Sequence, residues 1–403
     1  MSVPVARRLR PFGTTIFTEM SALAQRTGAL NLGQGFPDAD GPAELVEAAA
    51  EAMRGGRNQY APLAGVPELR RAVAAHQRRR YGLEVDPDDG VQVTFGATEA
   101  IAAALLGLLE PGEAVVALEP TYDSYGAAVA MAGGVLRPVT LHAPDFALDL
   151  DALERAASGE ASREAGGVAE DRGRPARILL LNTPHNPTGR VLARAELEEV
   201  ARICRAHDLI AITDEVYEHL VFDDAVHVPL ATLPGMAERT LTISSAGKAF
   251  SFTGWKIGWC SGPPRLVAAA RAAKQFMTFA GGTPLQCAVA HGLAHAERLT
   301  RPLVAQLTAN RDVLARGLRE AGFALARRSA GTYFLNADAA PLGVTDAAAW
   351  CRELPHRAGV VAIPAGAFYA SADTEPTLVR FAFCKSPQTI AAAVERLQGL
   401  RPG

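Results

Sequence analysis

The chain has 403 residues, 49% hydrophobic and 21% charged, which is enough apolar material for a large core and two or three domains. Its net charge of −3 reflects nearly balanced cations and anions and argues against nucleic acid or an anionic membrane surface as a partner. No apolar run approaches the roughly 20 residues that span a bilayer. Arg7, Arg8 and Arg10 resemble the start of a signal peptide, but Gly13, Thr14, Thr15 and Glu19 follow instead of an apolar core. Cys204, Cys260, Cys287, Cys351 and Cys384 are scattered, odd in number and without C-x-x-C spacing. They read as buried thiols in a reducing cytoplasm.

Residues 1–45 contain Thr14-Thr15-Ile16-Phe17-Thr18-Glu19-Met20, then Asn31-Leu32-Gly33-Gln34-Gly35-Phe36-Pro37-Asp38. Two glycines and a proline among polar neighbours give a turn whose backbone can approach a ligand closely. A helical stretch over 43–53 leads through Gly56-Arg57-Asn58-Gln59-Tyr60 to an arginine-rich one over 68–81, and a tyrosine after such a turn reads as an amphipathic surface residue. The alternating run 91–95 is a strand, followed by Gly96-Ala97-Thr98 and, from Glu99, a helix rich in alanine and leucine. Strand, small-residue turn and helix N-terminus make a ready anion site, because first-turn amides are unpaired and the macrodipole is positive there, yet many such turns bind nothing. Strand 113–118 precedes Glu119-Pro120-Thr121-Tyr122-Asp123-Ser124-Tyr125, whose rings read either as core or as ligand contacts. Residues 157–176 are charged, glycine-rich and aperiodic, and read as a long flexible surface loop.

Run 177–181 is a buried strand ending in Asn182-Thr183-Pro184-His185-Asn186-Pro187-Thr188-Gly189. Helix 195–207 leads to a second buried strand, 209–213, ending in Asp214-Glu215-Val216-Tyr217. Parallel strands joined by a helix bring their carboxyl ends together, where open α/β sheets bind ligands, so Asn186 and Asp214 are expected as neighbours. The plain alternatives are a proline turn for Asn186 and a helix N-cap for Asp214. The last third reads as a separate α+β unit, with strand markers at 331–335, 360–364 and 378–383 and a final helix started by Ser386-Pro387. Arg380 interrupts an apolar strand, and period-2 geometry alone leaves its face open.

The most informative stretch follows the β-branched run 240–243: Ser244-Ser245-Ala246-Gly247-Lys248, then Gly254-Trp255-Lys256-Ile257-Gly258-Trp259. A loop lysine is ordinarily solvated. A phosphate-cradling G-x-x-x-x-G-K loop is excluded, because Thr242 stands where its first glycine belongs and Ala249 where its Ser/Thr belongs. A lysine framed by small and aromatic residues past a strand end is instead one whose pKa desolvation lowers, which supplies a neutral amine and makes Lys248 a Schiff-base candidate.

Ser245, Lys248 and Lys256 in this spacing resemble the pyridoxal-phosphate attachment site of class I/II aminotransferases, and seven separated motifs agree in the family's order from about Thr14 to the final helix. The resemblance implies an α/β fold type I enzyme. A mainly parallel central sheet is expected in a large domain (46–285), with a small α+β domain built from both chain ends (1–45 and 286–403). It implies pyridoxal 5'-phosphate as cofactor, with Lys248 on the aldehyde and Ser245, Lys256 and the Gly96-Ala97-Thr98 turn on the phosphate. Tyr122 is expected to stack on the ring, Asp214 to neutralise its pyridinium nitrogen, and Asn186 and Tyr217 to bond its phenolic oxygen. Gly35, Asn186 and Arg380 are expected at the substrate, with Arg380 on the α-carboxylate. Tyr60 is expected to reach the cofactor phosphate of a neighbouring subunit, which implies a homodimer with shared sites.

The segment from Thr14 to Ala24 resembles the subfamily of methionine, kynurenine and N-succinyldiaminopimelate aminotransferases. In aspartate-specific relatives a second arginine precedes the late glycine turn, whereas here that segment, 275–283, carries no cation. Apolar, sulfur-containing or aromatic donors are therefore expected, with a 2-oxo acid such as 2-oxoglutarate as acceptor. The alternatives are N-succinyldiaminopimelate, and β/γ-elimination or replacement at the same site. A transcriptional regulator with an aminotransferase-like domain is disfavoured, since the roughly 30 residues before the first motif show no helix-turn-helix pattern.

Overall fold

The structure is a computed structural model that describes residues 5–13, 15–160, 173–371 and 374–400. Seven strands form the central sheet: β2 (Val91–Phe95), β3 (Ala114–Glu119), β4 (Val135–Thr140), β5 (Ile178–Asn182), β6 (Ile210–Asp214), β7 (Thr240–Ser245) and β8 (Ile257–Ser261). Their spatial order is β2-β8-β7-β6-β5-β3-β4, and β8 alone runs against the others. Strands β3, β5, β6 and β7 are buried along their whole length, as parallel strands covered on both faces must be, which explains their continuous apolar sequence. Alternate residues feed two cores. One face sets Val116, Leu179 and Ala211 against Leu197 and Val200, while the other sets Val115, Leu180 and Ile212 against Ile101 and Leu105.

The covering helices include α2 (Ala43–Arg54), α3 (Pro67–Tyr81), α4 (Gly96–Leu108), α5 (Ser124–Met131), α6 (Leu150–Ser158), α7 (Arg194–Ala206), the single turn α8 (Ala246–Ala249), α9 (Pro264–Met277) and α10 (Thr283–Ala294). A second core joins both ends of the chain. Helix α1 (Ile16–Thr27) contributes Met20 and Leu23, and packs with α11 (Ala296–Glu320), α12 (Ala347–Ala358) and α13 (Pro387–Gln398) around a four-stranded sheet. That sheet has the order β12 (Ile363–Pro364), β13 (Leu378–Ala382), β10 (Phe334–Asp338), β9 (Ala324–Leu325). Strand β1 (Leu30–Asn31) pairs in parallel with β11 (Val360–Val361), which places the loop after β1 beside the carboxyl edge of the central sheet.

Several local expectations are corrected. Helix α4 starts at Gly96 rather than Glu99, so the small-residue turn is itself the first helical turn. Helix α6 runs to Ser158 and ends on the left-handed Gly159, so the loop expected from 157 begins later; its central part, 161–172, lies outside the described residues, as does Thr14. Asp214 is the last residue of β6 and caps no helix. Strand β10 begins at Phe334 because Thr332 turns the chain at a φ of 65°. Cys287 is half-buried, unlike the other four cysteines. Ser386 does cap α13, accepting from the Thr389 amide, with Pro387 next to it.

Candidate active site

One cavity at the carboxyl edge of the central sheet collects most of the expected residues. Its lining includes Gly96, Ala97, Thr98, Tyr122, Asn186, Asp214, Tyr217, Ser245, Lys248 and Lys256. Topology explains the convergence. Strands β2, β3, β5, β6 and β7 all end on this side, and β8 starts there directly after Lys256.

Lys248 sits on α8, one turn past β7. Its Nζ donates to the Tyr333 hydroxyl at 2.9 Å and the Gly35 carbonyl at 3.3 Å, between the rings of Tyr217 and Tyr333. Burial pushes its pKa down to about 8, against the pull of Cys384 and Asp214. This is the neutral-amine environment expected from the residues framing the motif.

Asp214 is buried at the floor, its Oδ2 accepting from the Tyr125 hydroxyl at 2.7 Å and its Oδ1 from the Val216 amide at 3.3 Å. Burial raises its pKa, so a cation brought to this carboxylate would relieve the desolvation. Asn182 ties the two strand ends together: its Nδ2 donates to the Asp214 carbonyl at 2.8 Å while its Oδ1 accepts from the Asn186 amide at 2.7 Å. Asn186 and Asp214 are thus brought together as expected.

Lys256 and the first turn of α4 form another part of the lining. Gly96 has a φ of 74°, and a Cβ there would lie 3.3 Å from Lys256 Nζ, so the ammonium rests against the first turn of α4. A Cβ on Gly258 would lie 2.5 Å from the Gly96 carbonyl carbon, so β8 and this turn touch backbone to backbone. The unpaired amides at the start of α4, the Ser245 hydroxyl and Lys256 supply donors and positive charge together.

Arg380 is 1% exposed, which answers the question its strand left open. Its Nη1 donates to Asn186 Oδ1 at 3.1 Å and its Nη2 to the Gly33 carbonyl at 2.9 Å. Phe334, Phe368 and Phe17 surround the guanidinium at 4.0, 4.5 and 5.3 Å. Burial lowers its pKa to about 10, and its Nε is buried without a hydrogen-bond partner among the described residues. Gly35 has to be glycine, since a Cβ would lie 2.5 Å from the Phe334 ring. Tyr60 is not part of this cavity; it is 85% exposed, edge-on to Phe279 at 5.8 Å.

Three functional side chains escaped sequence reasoning. Tyr125 and Asn182 hold Asp214, and Tyr333 holds Lys248. The available signal was weak: a tyrosine at the second position of a helix, six residues past a strand, an asparagine closing an apolar strand, and a tyrosine after a Gly-Thr turn.

The residues present fit pyridoxal phosphate. Amides, a hydroxyl and an ammonium, a buried carboxylate and a lysine of lowered pKa line the same cavity. Residues 27–397 match the family described as aminotransferase class I and II. The chain is 52% identical, over 98% of both sequences, to a probable N-succinyldiaminopimelate aminotransferase of Mycobacterium tuberculosis, and 38% identical to the methionine aminotransferase of Escherichia coli, over 98% of this chain and 97% of that one. The solved N-succinyldiaminopimelate aminotransferase of Mycobacterium tuberculosis superposes with a TM-score of 0.93, covering 99% of this chain and all of that one at 52% identity. With that likeness running through the sheet, the cavity and both chain ends, the chain belongs to the class I and II aminotransferases and is a fold type I, pyridoxal-phosphate-dependent transaminase.

Proposed function

We propose that the amino-group substrate is N-succinyldiaminopimelate, exchanged with a 2-oxo acid such as 2-oxoglutarate. The observation that carries this reading is the 52% identity, over the full length of both chains, to a relative bearing that name, against 38% for the methionine enzyme. A second reading, methionine or an aromatic amino acid as donor, is supported by the ring set around Arg380. It is supported also by segment 275–283, where Phe276, Met277 and Phe279 are exposed and Lys274, just before it, is buried and turned inward. Aspartate is disfavoured by both readings, since an unpaired distal carboxylate forgoes charge-assisted bonds of about 1.5–3 kcal/mol each.

Within this reading each side chain has a task. Bound pyridoxal phosphate supplies the aldehyde that takes up the donor amine and the ring that accepts the electrons left when the Cα proton departs. Arg380 grips the α-carboxylate, oriented by Asn186 and the Gly33 carbonyl. Lys248 carries the proton from Cα, its amine steered by Tyr333 and Gly35. Asp214, fixed by Tyr125, would keep the ring nitrogen protonated, and Tyr217, Asn186 and Tyr122, which line the same cavity, would hold the ring. Ser245, Lys256 and the amides of Ala97 and Thr98 after Gly96 hold the phosphate.

The rest of the reading concerns assembly. The protein acts as a cytoplasmic homodimer in which Tyr60 serves the neighbouring site, a role supported by its exposure beside Phe279. The division into a small domain (1–45 and 286–403) and a large one (46–285) is supported by the separate core uniting α1 with α11–α13. Within this reading the boundary expected at 285 moves to the end of α10 at 294 and the one expected at 45 to the start of α2 at 43, because Val289 and Leu293 of α10 pack with Leu45 of α2 and with Val66. The test is kcat/KM for N-succinyldiaminopimelate, methionine, phenylalanine and aspartate with 2-oxoglutarate, run beside an assay for pyruvate and ammonia. The reading expects N-succinyldiaminopimelate to lead and aspartate to trail by roughly tenfold or more. A preference for methionine would favour the second reading, one for aspartate would sink both, and release of pyruvate and ammonia would mark elimination.

A further inference from the structure

The chain carries 40 lysines and arginines, yet only four are lysines: 248, 256, 274 and 385. Nearly all cations of the chain are arginine. Lys248 and Lys256 line the cavity, and Lys385 donates to the Phe36 carbonyl in the loop beyond Gly35. Lys274 has no part in the chemistry described above, yet it is 1% exposed.

Its environment is specific. Lys274 lies in the last turn of α9, which packs along α4. Its Nζ donates to the Phe279 carbonyl at 2.8 Å and to Thr278 Oγ1 at 3.1 Å, and lies 3.9 Å from the carboxylate of Glu99. Glu99 is in the first turn of α4, the turn whose Gly96, Ala97 and Thr98 line the cavity. Its Oε2 accepts from the Phe95 amide at 2.5 Å and its Oε1 from the Thr278 hydroxyl at 2.5 Å. Glu99 therefore fixes the entry into α4, since its carboxylate satisfies the amide just before the glycine turn. It also places a buried negative charge behind a turn whose task is to attract an anion, in a setting where water screens poorly. The Lys274 ammonium, 3.9 Å away, offsets that charge. A compact ammonium that reaches a carbonyl, a hydroxyl and a carboxylate together suits the spot better than a planar guanidinium.

We propose that Lys274 is a positioning residue for the cofactor's phosphate: it neutralises Glu99, so that Glu99 can brace the first turn of α4 without repelling the dianion in front of it. The proposal rests on the reading that the phosphate lies at that turn. It assigns Lys274 no contact with cofactor or substrate. Through Thr278 and Phe279 the same lysine fastens the exposed segment that carries Phe276 and Met277 to the first turn of α4.

The test compares two ligands differing only in the phosphate. Apoprotein of the wild type, Lys274→Met, Glu99→Gln and the double variant is titrated with pyridoxal phosphate and with pyridoxal, and both dissociation constants are read from absorbance. Wild type should bind the phosphate ester far more tightly; equal affinities would instead overturn the placement of the phosphate. Lys274→Met should weaken pyridoxal phosphate by about tenfold or more while leaving pyridoxal within about twofold. Adding Glu99→Gln to it should restore most of the preference, because Gln Nε2 can donate to the Thr278 oxygen that Lys274 no longer reaches. Glu99→Gln alone keeps the cation and should hold or raise the preference, which keeps the idea testable if Lys274→Met does not fold. Equal weakening of both ligands by Lys274→Met, no rescue in the double variant, or a reduced preference in Glu99→Gln alone would overturn the proposal.

Discussion

At the scale of single residues, the site depends on what burial does to charge. Lys248 is pulled to about 8 from an ordinary 10.5, chiefly by desolvation. The uncharged amine therefore forms as pH rises through about 8. Reconstitution of apoprotein with pyridoxal phosphate should accelerate with a midpoint near that value; stopped-flow absorbance showing a midpoint above pH 10 would contradict the burial argument. The same shift enters stability. Between about pH 8 and 10.5 the unfolded chain still holds a proton that the folded apoprotein has lost, so apoprotein stability should rise with pH across that window relative to Lys248→Met. Denaturant melts at pH 7.5 and 10 check the sign.

Elements matter because the proposed phosphate site is made of backbone. The contact between β8 and α4 leaves no room for a methyl group at Gly258, whose Cβ would lie 2.5 Å from the Gly96 carbonyl carbon and 2.8 Å from the Ala97 nitrogen. Gly258→Ala should cost about 1–3 kcal/mol of stability and displace the first turn of α4, weakening pyridoxal phosphate binding. Gly254→Ala, four residues away with nothing within 4 Å of its Cβ position, should be nearly neutral in both respects. Thermal melts and cofactor titrations of the two variants provide the comparison. The sequence made such elements legible wherever chemistry sits at a strand end: Asn186 and Asp214 follow buried apolar runs and could be placed side by side from βαβ logic, whereas Lys248 could be placed only just past a strand end. Arg380 could not be assigned a face, because that depends on β13 lying between β10 and β12, a pairing no local pattern encodes. Tyr333 was missed for the same reason, standing 85 residues from the lysine it holds. The start of α4 was placed three residues late because Gly96 weakens a helical pattern, while its positive φ is what lets the helix begin there.

For the whole molecule, the exposed rings are the telling feature. Tyr60 is 85% exposed with its ring edge-on to the exposed Phe279, and the helix end just before Phe279 exposes Phe276, also 85%, and Met277. A homodimer covering this face should place Tyr60 next to the partner's phosphate site. Mixing Tyr60→Phe with Lys248→Ala subunits should then restore activity, because each crossed dimer contains one intact site; a mixture no more active than the average of its parents, or a monomer in sedimentation, would contradict the shared site. The central claim is that Lys248 anchors the cofactor, and the scarcity of lysine makes it unusually direct to test. Holoenzyme reduced with borohydride and digested for mass spectrometry offers just four lysines as attachment points. The account expects the pyridoxyl group on the peptide containing Lys248 and on no other; label on Lys256, Lys274 or Lys385, or no label at all, would contradict it.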